Sequence, residues 1–175
     1  NPLHFAISQL KLQSAGTNTA MNYEAALTNP KPPGQINSKG SFGPWVAGEP
    51  GDTPLKGAYS FKDADLGVFA GIAGILQSTG EFEGSLASLI AKGTATVPDF
   101  RLKMSGNPVP LRTQFEVLVD GTNGNTVLQP VKATLGSTSF TTSGGIIKHE
   151  GDQRRTISLD VSMPQGQLRD ILRLA

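Results

Sequence analysis

The stretch Arg154-Arg-Thr-Ile-Ser-Leu-Asp-Val-Ser-Met163 sets Ile157, Leu159, Val161 and Met163 against Thr156, Ser158, Asp160 and Ser162. This two-residue alternation is the period of a half-buried strand, because successive strand side chains point to opposite faces of the sheet. The pattern recurs upstream. Met21, Tyr23, Ala25 and Leu27 form one such strand, and Phe115, Val117 and Val119 alternate with Gln114, Glu116 and Leu118 in another. Leu3, Phe5 and Ile7 hold one phase while Leu10 and Leu12 hold the other, which predicts a bulge or bend near Ser8-Gln9.

Composition agrees with a turn-rich β protein. The chain has 175 residues, 37% of them apolar, with 21 Gly, 12 Pro and 6% aromatic residues, which fits one domain with a sizeable core. Fifteen Lys and Arg against fourteen Asp and Glu leave a net charge of +1, no electrostatic footprint for nucleic acid or an anionic membrane surface. With no cysteine there is no disulfide framework and no thiolate chemistry. The start at Asn1-Pro2 and the amphipathic end at Leu172-Arg-Leu-Ala175 read as a single β segment, residues 1–175, excised from a longer protein.

Turn chemistry divides the chain further. Asn29-Pro-Lys-Pro-Pro-Gly34 is a turn or short extended connection, and Gln35 to Phe42 a strand. The Gly48 to Pro54 loop is expected to be the most mobile region, and Leu55 to Phe61 another strand. An Asp of Asp63-Ala-Asp65 caps a short helix carrying Leu66 and Phe69. Ile75 to Leu86 and Thr94 to Val97 are extended, while Leu86, Leu89 and Ile90 fit either a strand or a helix. Phe100, Leu102 and Met104 alternate with Arg101 and Lys103 as a strand, and Asp120 to Asn125 is a hairpin turn. Val127, Val131, Ala133 and Leu135 mark the strand after it, Ser139 to Lys148 the next, and Leu168, Ile171 and Leu172 open a terminal helix.

Three segments share the form apolar-x-Ser/Thr-x-Gly: Ile36-Asn-Ser38-Lys-Gly40, Leu76-Gln-Ser78-Thr-Gly80 and Phe140-Thr-Thr142-Ser-Gly144. Read as turns or kinks at corresponding points, they would curl the sheet into a trough. The expected fold is therefore mostly β: a curved antiparallel sheet forming an open groove, with one or two short helices.

Catalytic chemistry has few candidates. His4 and His149 are 145 positions apart without partners, so zinc or a Ser-His-Asp triad has little to work with. Asp63 and Asp65 read as capping residues and Asp99 as a turn carboxylate. Asp120-Gly-Thr-Asn-Gly-Asn125 lacks the closing acid of a calcium loop, and the glycines lack the setting of a phosphate loop. No enzyme, metal or cofactor is expected. Trp45 fits either an exposed anchor or a closure of the apolar face. That face itself is either the core of a sandwich or an open lipid-holding surface.

Asn29-Pro-Lys-Pro-Pro-Gly34, Gly40-Ser-Phe-Gly-Pro-Trp45, Tyr59-Ser-Phe-Lys-Asp-Ala-Asp-Leu66, Gly71-Ile-Ala-Gly-Ile-Leu-Gln-Ser-Thr-Gly80, Pro98-Asp-Phe100 and Val119-Asp-Gly-Thr-Asn-Gly124 resemble, in this order, the periplasmic region of bacterial AsmA-like proteins. These are similar to bridge-like lipid-transfer proteins. The resemblance implies a periplasmic β-groove anchored in the inner membrane by a helix outside this segment, with no catalytic residue. It implies conduction of phospholipid towards the outer membrane, in support of outer-membrane biogenesis. On that reading the lining comprises Phe115, Val117, Val119, Val127, Val131, Leu135, Ile157, Leu159 and Val161, with Phe100, Leu102 and Met104 nearby. Partners are then lipid acyl chains, flanking segments of the same protein and an envelope protein, but not nucleic acid. The alternative is a structural envelope β-sandwich that binds a protein partner; a carbohydrate module is disfavoured by the single Trp and two Tyr.

Overall fold

The computed structural model describes residues 6–14, 16, 18–104, 107–123, 125–148 and 155–174. Its strands are β1 (Ala6–Gln13), β2 (Met21–Pro30), β3 (Pro33–Phe42), β4 (Pro54–Asp65), β5 (Ile72–Ala73), β6 (Ile75–Ser85), β7 (Ser88–Val97), β8 (Arg101–Leu102), β9 (Leu111–Val119), β10 (Thr126–Leu135), β11 (Thr138–Lys148) and β12 (Arg155–Ser162), followed by helix α1 (Leu168–Leu174). All but β5 and β8 form one antiparallel sheet in sequence order, with β1 and β12 at its two edges and no closure into a barrel. Leu89 and Ile90 belong to β7, and Leu86-Ala87 turns the chain back from β6.

The Ser-x-Gly segments are not turns. Ser38-Lys-Gly40 and Ser78-Thr-Gly80 lie inside β3 and β6 in unbroken register, and Thr142-Ser-Gly144 lies inside β11. The irregularities fall elsewhere. One is the expected bulge between Ile7 and Gln9, and another lies between Phe61 and Ala64, where Asp63 takes φ +55°. The third lies between Leu128 and Val131 of β10. It contains Pro130, which has no N–H to give to a ladder and is accommodated in a central strand only by a bulge.

One end of the sheet is capped by the chain's own connections. After β4, Asp65 caps a single 3-10 turn, Leu66–Val68, accepting from the Gly67 N–H at 2.7 Å, so the expected short helix is one turn long. Asp99 accepts from the Ile75 N–H at 2.8 Å, and Lys103 Nζ donates to the Gly67 and Phe69 carbonyls at 2.6 and 2.9 Å. The strand expected over Phe100 to Met104 shrinks to β8, which pairs with β5 outside the large sheet. Pro98, Pro108 and Pro110 around it remove ladder donors.

Leu66, Ala73 and Val109 of this cap are buried together with Ala64, Val97, Val131, Ala133 and Leu135 of the sheet. Gly74 abuts Val97, since a Cβ placed there would lie 2.6 Å from Val97 Cγ1. At the opposite end, the Gly48 to Pro54 loop is stitched down rather than loose. Thr53 is fully buried, Gly43 N–H donates to the Pro54 carbonyl at 2.8 Å, and Leu86 and Ala87 N–H donate to Thr53 and Gly51.

Away from the cap the sheet is a single layer. Substantial contacts between elements run only between paired strands, plus the contact of β5 with the 3-10 turn. The accessible surface is 11094 Å², against about 8,100 Å² for a compact protein of this mass.

Candidate functional site

Register lines carry the apolar face across the whole sheet. One runs Leu12, Tyr23, Gly40, Gly57, Phe82, Ala91, Val117, Leu128, Gly144, Leu159, one residue from each strand. Its neighbour runs Leu10, Ala25, Ser38, Tyr59, Gly80, Gly93, Phe115. Paired residues share a face, so these lines are ridges of one surface. In the middle of the sheet Tyr23, Phe82, Val117 and Leu128 are half-buried, while at the edges Leu12 is 50% and Leu159 56% exposed.

The glycines in these lines receive aromatic rings. A Cβ on Gly57 would lie 2.9 Å from Phe82 Cζ and from Tyr23 Oη, and one on Gly93 would lie 2.9 Å from Phe115 Cζ. Tyr23 stands opposite Gly40 and its Oη lies 3.0 Å from Ser38 Oγ; Tyr59 stands opposite Gly80 and its Oη lies 3.0 Å from Ser78 Oγ. This is what the Ser-x-Gly spacing does: Gly makes room for a tyrosine from the previous strand, and the serine two residues earlier takes its hydroxyl. Burial pushes the Tyr59 phenol above its ordinary pKa, and the Ser78 hydrogen bond offsets part of that. In β11 the pattern lacks its tyrosine. Leu128 stands opposite Gly144, and Thr142 Oγ1 is buried without a hydrogen-bond partner.

The sequence-derived lining divides three ways. Phe115, Val117, Val119, Val131, Leu135, Leu159 and Val161 lie on the apolar face by register, and Ile157 pairs at the backbone with Ile146. Val127 does not: it pairs with Leu118, which pairs with Ile90, on the opposite face, because the Pro130 bulge inverts the phase between Val127 and Val131. Phe100, Leu102 and Met104 lie outside the sheet in the capping connections, with Met104 99% exposed. Val131 and Leu135 are already buried by the cap. Sequence reading missed the N-terminal half of the face, Tyr23, Leu27, Ile36, Phe61 and Phe82. The signal was present in Tyr and Phe at alternate positions facing a Gly one strand away.

Trp45 sits 5.9 Å from the Phe42 ring, tilted by 39° and half exposed. Asp120 serves its own hairpin, where Thr122 donates from Oγ1 and from N–H, and these bonds hold its carboxyl below the usual range. His4 and His149 lie outside the described residues, and among the described residues no His, Asp and Glu side chains converge as a metal site. No described helix is long and apolar enough to cross a membrane.

The other face is mainly polar, apart from the exposed Ile90, Leu118 and Val127. In register, Lys11, Glu24 and Lys39 alternate in sign across β1 to β3, and Glu81, Lys92 and Glu116 across β6 to β9. Lys92 Nζ and Glu116 Oε2 are 3.4 Å apart. Besides a hollow of 420 Å³ over β1 to β4, two concavities lie along this face. One of 660 Å³ spans β1 to β7, lined by Lys11, Lys39, Lys56 and Lys92 with Glu24, Glu81 and Glu83. The other, 650 Å³, spans β7 to β12 around Arg112 and Lys132. Twist makes a wide sheet saddle-shaped, so each face is concave along one diagonal.

Comparison of the chain with protein-family models, curated proteins and solved structures finds no significant match.

Proposed function

We propose that this chain is a lipid-binding segment of an AsmA-like cell-envelope protein, whose apolar face carries phospholipid acyl chains between inner and outer membranes. The observation that supports it best is the apolar register line crossing all ten strands, half-exposed with no layer of the described residues over it. Nine strand spacings make that line about 43 Å long, close to the full thickness of a bilayer. An acyl methylene laid on it contributes part of the about 0.8 kcal/mol that a fully buried one would. Head groups stay in water beyond the rim, where Leu12 and Leu159 are most exposed. The parent protein is then periplasmic, held by an inner-membrane helix outside this segment. The resemblance of its sequence segments to AsmA-like proteins motivates the same reading.

A second reading is a structural envelope domain whose apolar face is covered by a protein partner. The unpaired edges β1 and β12 favour it, since an exposed edge is a template for another chain. Mass spectrometry of solvent extracts from the chain purified without detergent separates the two. Stoichiometric phospholipid, retained by Val127→Asp and lost on combining Val117→Asp with Leu159→Asp in a folded protein, is the expected result. A folded, lipid-free wild type that takes up no phospholipid from vesicles overturns the lipid reading.

A further inference from the structure

We propose that the polar face between β7 and β12 binds a phosphorylated saccharide, clamped by Arg112 and Lys132. The site lies on the opposite side of the sheet from the apolar face and does not depend on what that face carries. Arg112 pairs in register with Thr134 and Lys132 with Gln114, so the two cations are diagonal neighbours on β9 and β10. Such diagonal neighbours lie about 7–8 Å apart, their Cβ atoms somewhat closer, a span one phosphate can bridge, with the guanidinium fork bonding two of its oxygens.

Charge selects this concavity over its neighbour. The 660 Å³ hollow over β1 to β7 mixes lysines with glutamates and is internally neutralised. Among the described residues, the 650 Å³ hollow is lined by no carboxylate. On the same face, Glu116 is held by Lys92 at 3.4 Å, and Asp160 lies on the edge strand two residues from the lining Ser162. Neither Arg112 nor Lys132 forms an ion pair among the described residues.

The rest of the lining points to a sugar as the body of the ligand, held by charge and hydroxyls and not by the ring stacking that one Trp and two Tyr disfavour. Thr94, Thr134, Thr141 and Gln114 present hydroxyls and an amide that are not engaged with other side chains among the described residues, matching a ligand rich in hydroxyl donors and acceptors. The volume is far larger than a bare phosphate needs and lies within the ordinary range of small-molecule sites.

The test is an NMR titration of the full chain with glucose 6-phosphate, glucose, inorganic phosphate and sn-glycerol 3-phosphate, the last standing for a lipid head group. Expected are saturable shifts in the β7, β9, β10 and β11 amides with glucose 6-phosphate, at least tenfold weaker binding of inorganic phosphate, and none of glucose. Combining Arg112→Gln with Lys132→Gln should weaken binding tenfold or more. Both side chains are exposed, so that variant should keep the wild-type amide spectrum elsewhere. If it does not fold, Lys132→Gln alone and the salt dependence of wild-type binding carry the test. Absence of saturable shifts, or binding indifferent to both substitutions and salt, overturns the site. Equal or tighter binding of inorganic phosphate or glycerol 3-phosphate overturns the saccharide assignment.

Discussion

Tyr59 Oη and Ser78 Oγ lie 3.0 Å apart across two paired strands, and Tyr23 and Ser38 repeat the relationship at the same distance two strands earlier. In both cases the tyrosine faces a glycine and reaches back to the serine two residues before it. The apolar face is thus tied by a few internal hydroxyl pairs, which satisfy polar groups without a second layer of structure.

Removing either hydroxyl of a pair should cost about 0.5–1.5 kcal/mol. Tyr59→Phe, Ser78→Ala and the double variant, compared by urea unfolding, should show coupling, the double costing less than the sum of the singles. Purely additive losses would mean that the two oxygens do not interact.

Because burial raises the Tyr59 pKa, the folded state holds its phenolic proton more tightly than the unfolded chain. That contribution is complete below the ordinary tyrosine value of about 10 and is lost as pH rises through the higher folded value. Ultraviolet titration of Tyr23→Phe, which leaves Tyr59 as the only phenol, should show an inflection above that of free tyrosine. An inflection at the free value would contradict the burial.

The glycines under the rings should not accept a methyl group. In Gly57→Ala the new Cβ would stand 2.6 Å from the Lys39 carbonyl oxygen and 2.9 Å from Phe82 Cζ; in Gly93→Ala it would stand 2.9 Å from Phe115 Cζ. Each should destabilise by about 1–3 kcal/mol. Gly48→Ala, with open space around it, should stay within about 0.5 kcal/mol. Thermal melts of the three variants check the contrast.

The strands were legible because one face is apolar and the period is two, as at Ile157 to Met163 and Phe115 to Val119. The hairpin at Asp120 to Asn125 was legible from its turn residues. Face assignment was not legible across the Pro130 bulge: Val127 and Val131 are four apart and share a phase on paper, but Pro130 puts an extra residue between them. The alternation at Phe100 to Met104 failed for a related reason, since flanking prolines prevent a long ladder. The polar-face concavity around Arg112 and Lys132 was invisible because it exists only once β7, β9, β10 and β11 are paired.

The bulge gives a sharp contrast between two similar valines. Val131 is 3% exposed on the apolar face and Val127 is 44% exposed on the polar face. Val131→Asp buries a carboxylate beside Ala133 and Leu135 and should leave the chain unfolded or destabilised by about 3 kcal/mol or more. Val127→Asp should fold normally, within about 0.5 kcal/mol of the parent. If the two variants behaved alike in circular dichroism melts, the register beyond Pro130 would have to be redrawn.

Asp170 fastens α1 to the β10–β11 turn. Its Oδ2 accepts from the Ser137 N–H at 2.8 Å, Ser137 Oγ at 2.7 Å and Thr138 Oγ1 at 3.0 Å. The Ser137 hydroxyl is the largest influence holding this carboxyl below its ordinary pKa, followed by the Ser137 N–H, against the opposing effect of desolvation. A depressed folded pKa means that the unfolded chain takes up the proton first as pH falls. The fastening is therefore complete above the ordinary aspartate value of about 3.9 and is lost as pH drops through the folded value. Protection factors of the α1 and Ser137 amides, with the intrinsic pH dependence of exchange divided out, should fall across that acidic window while the β3–β4 ladder remains protected. Asp170→Asn should show the lower protection factors already at neutral pH, with no further change in them on acidification. Gly136→Ala should reproduce it by another route, because Gly136 has φ +60° and a Cβ there would stand 2.6 Å from Asp170 Oδ1. Exchange over α1 that ignored all three changes would mean that the helix is held by contacts other than this carboxylate.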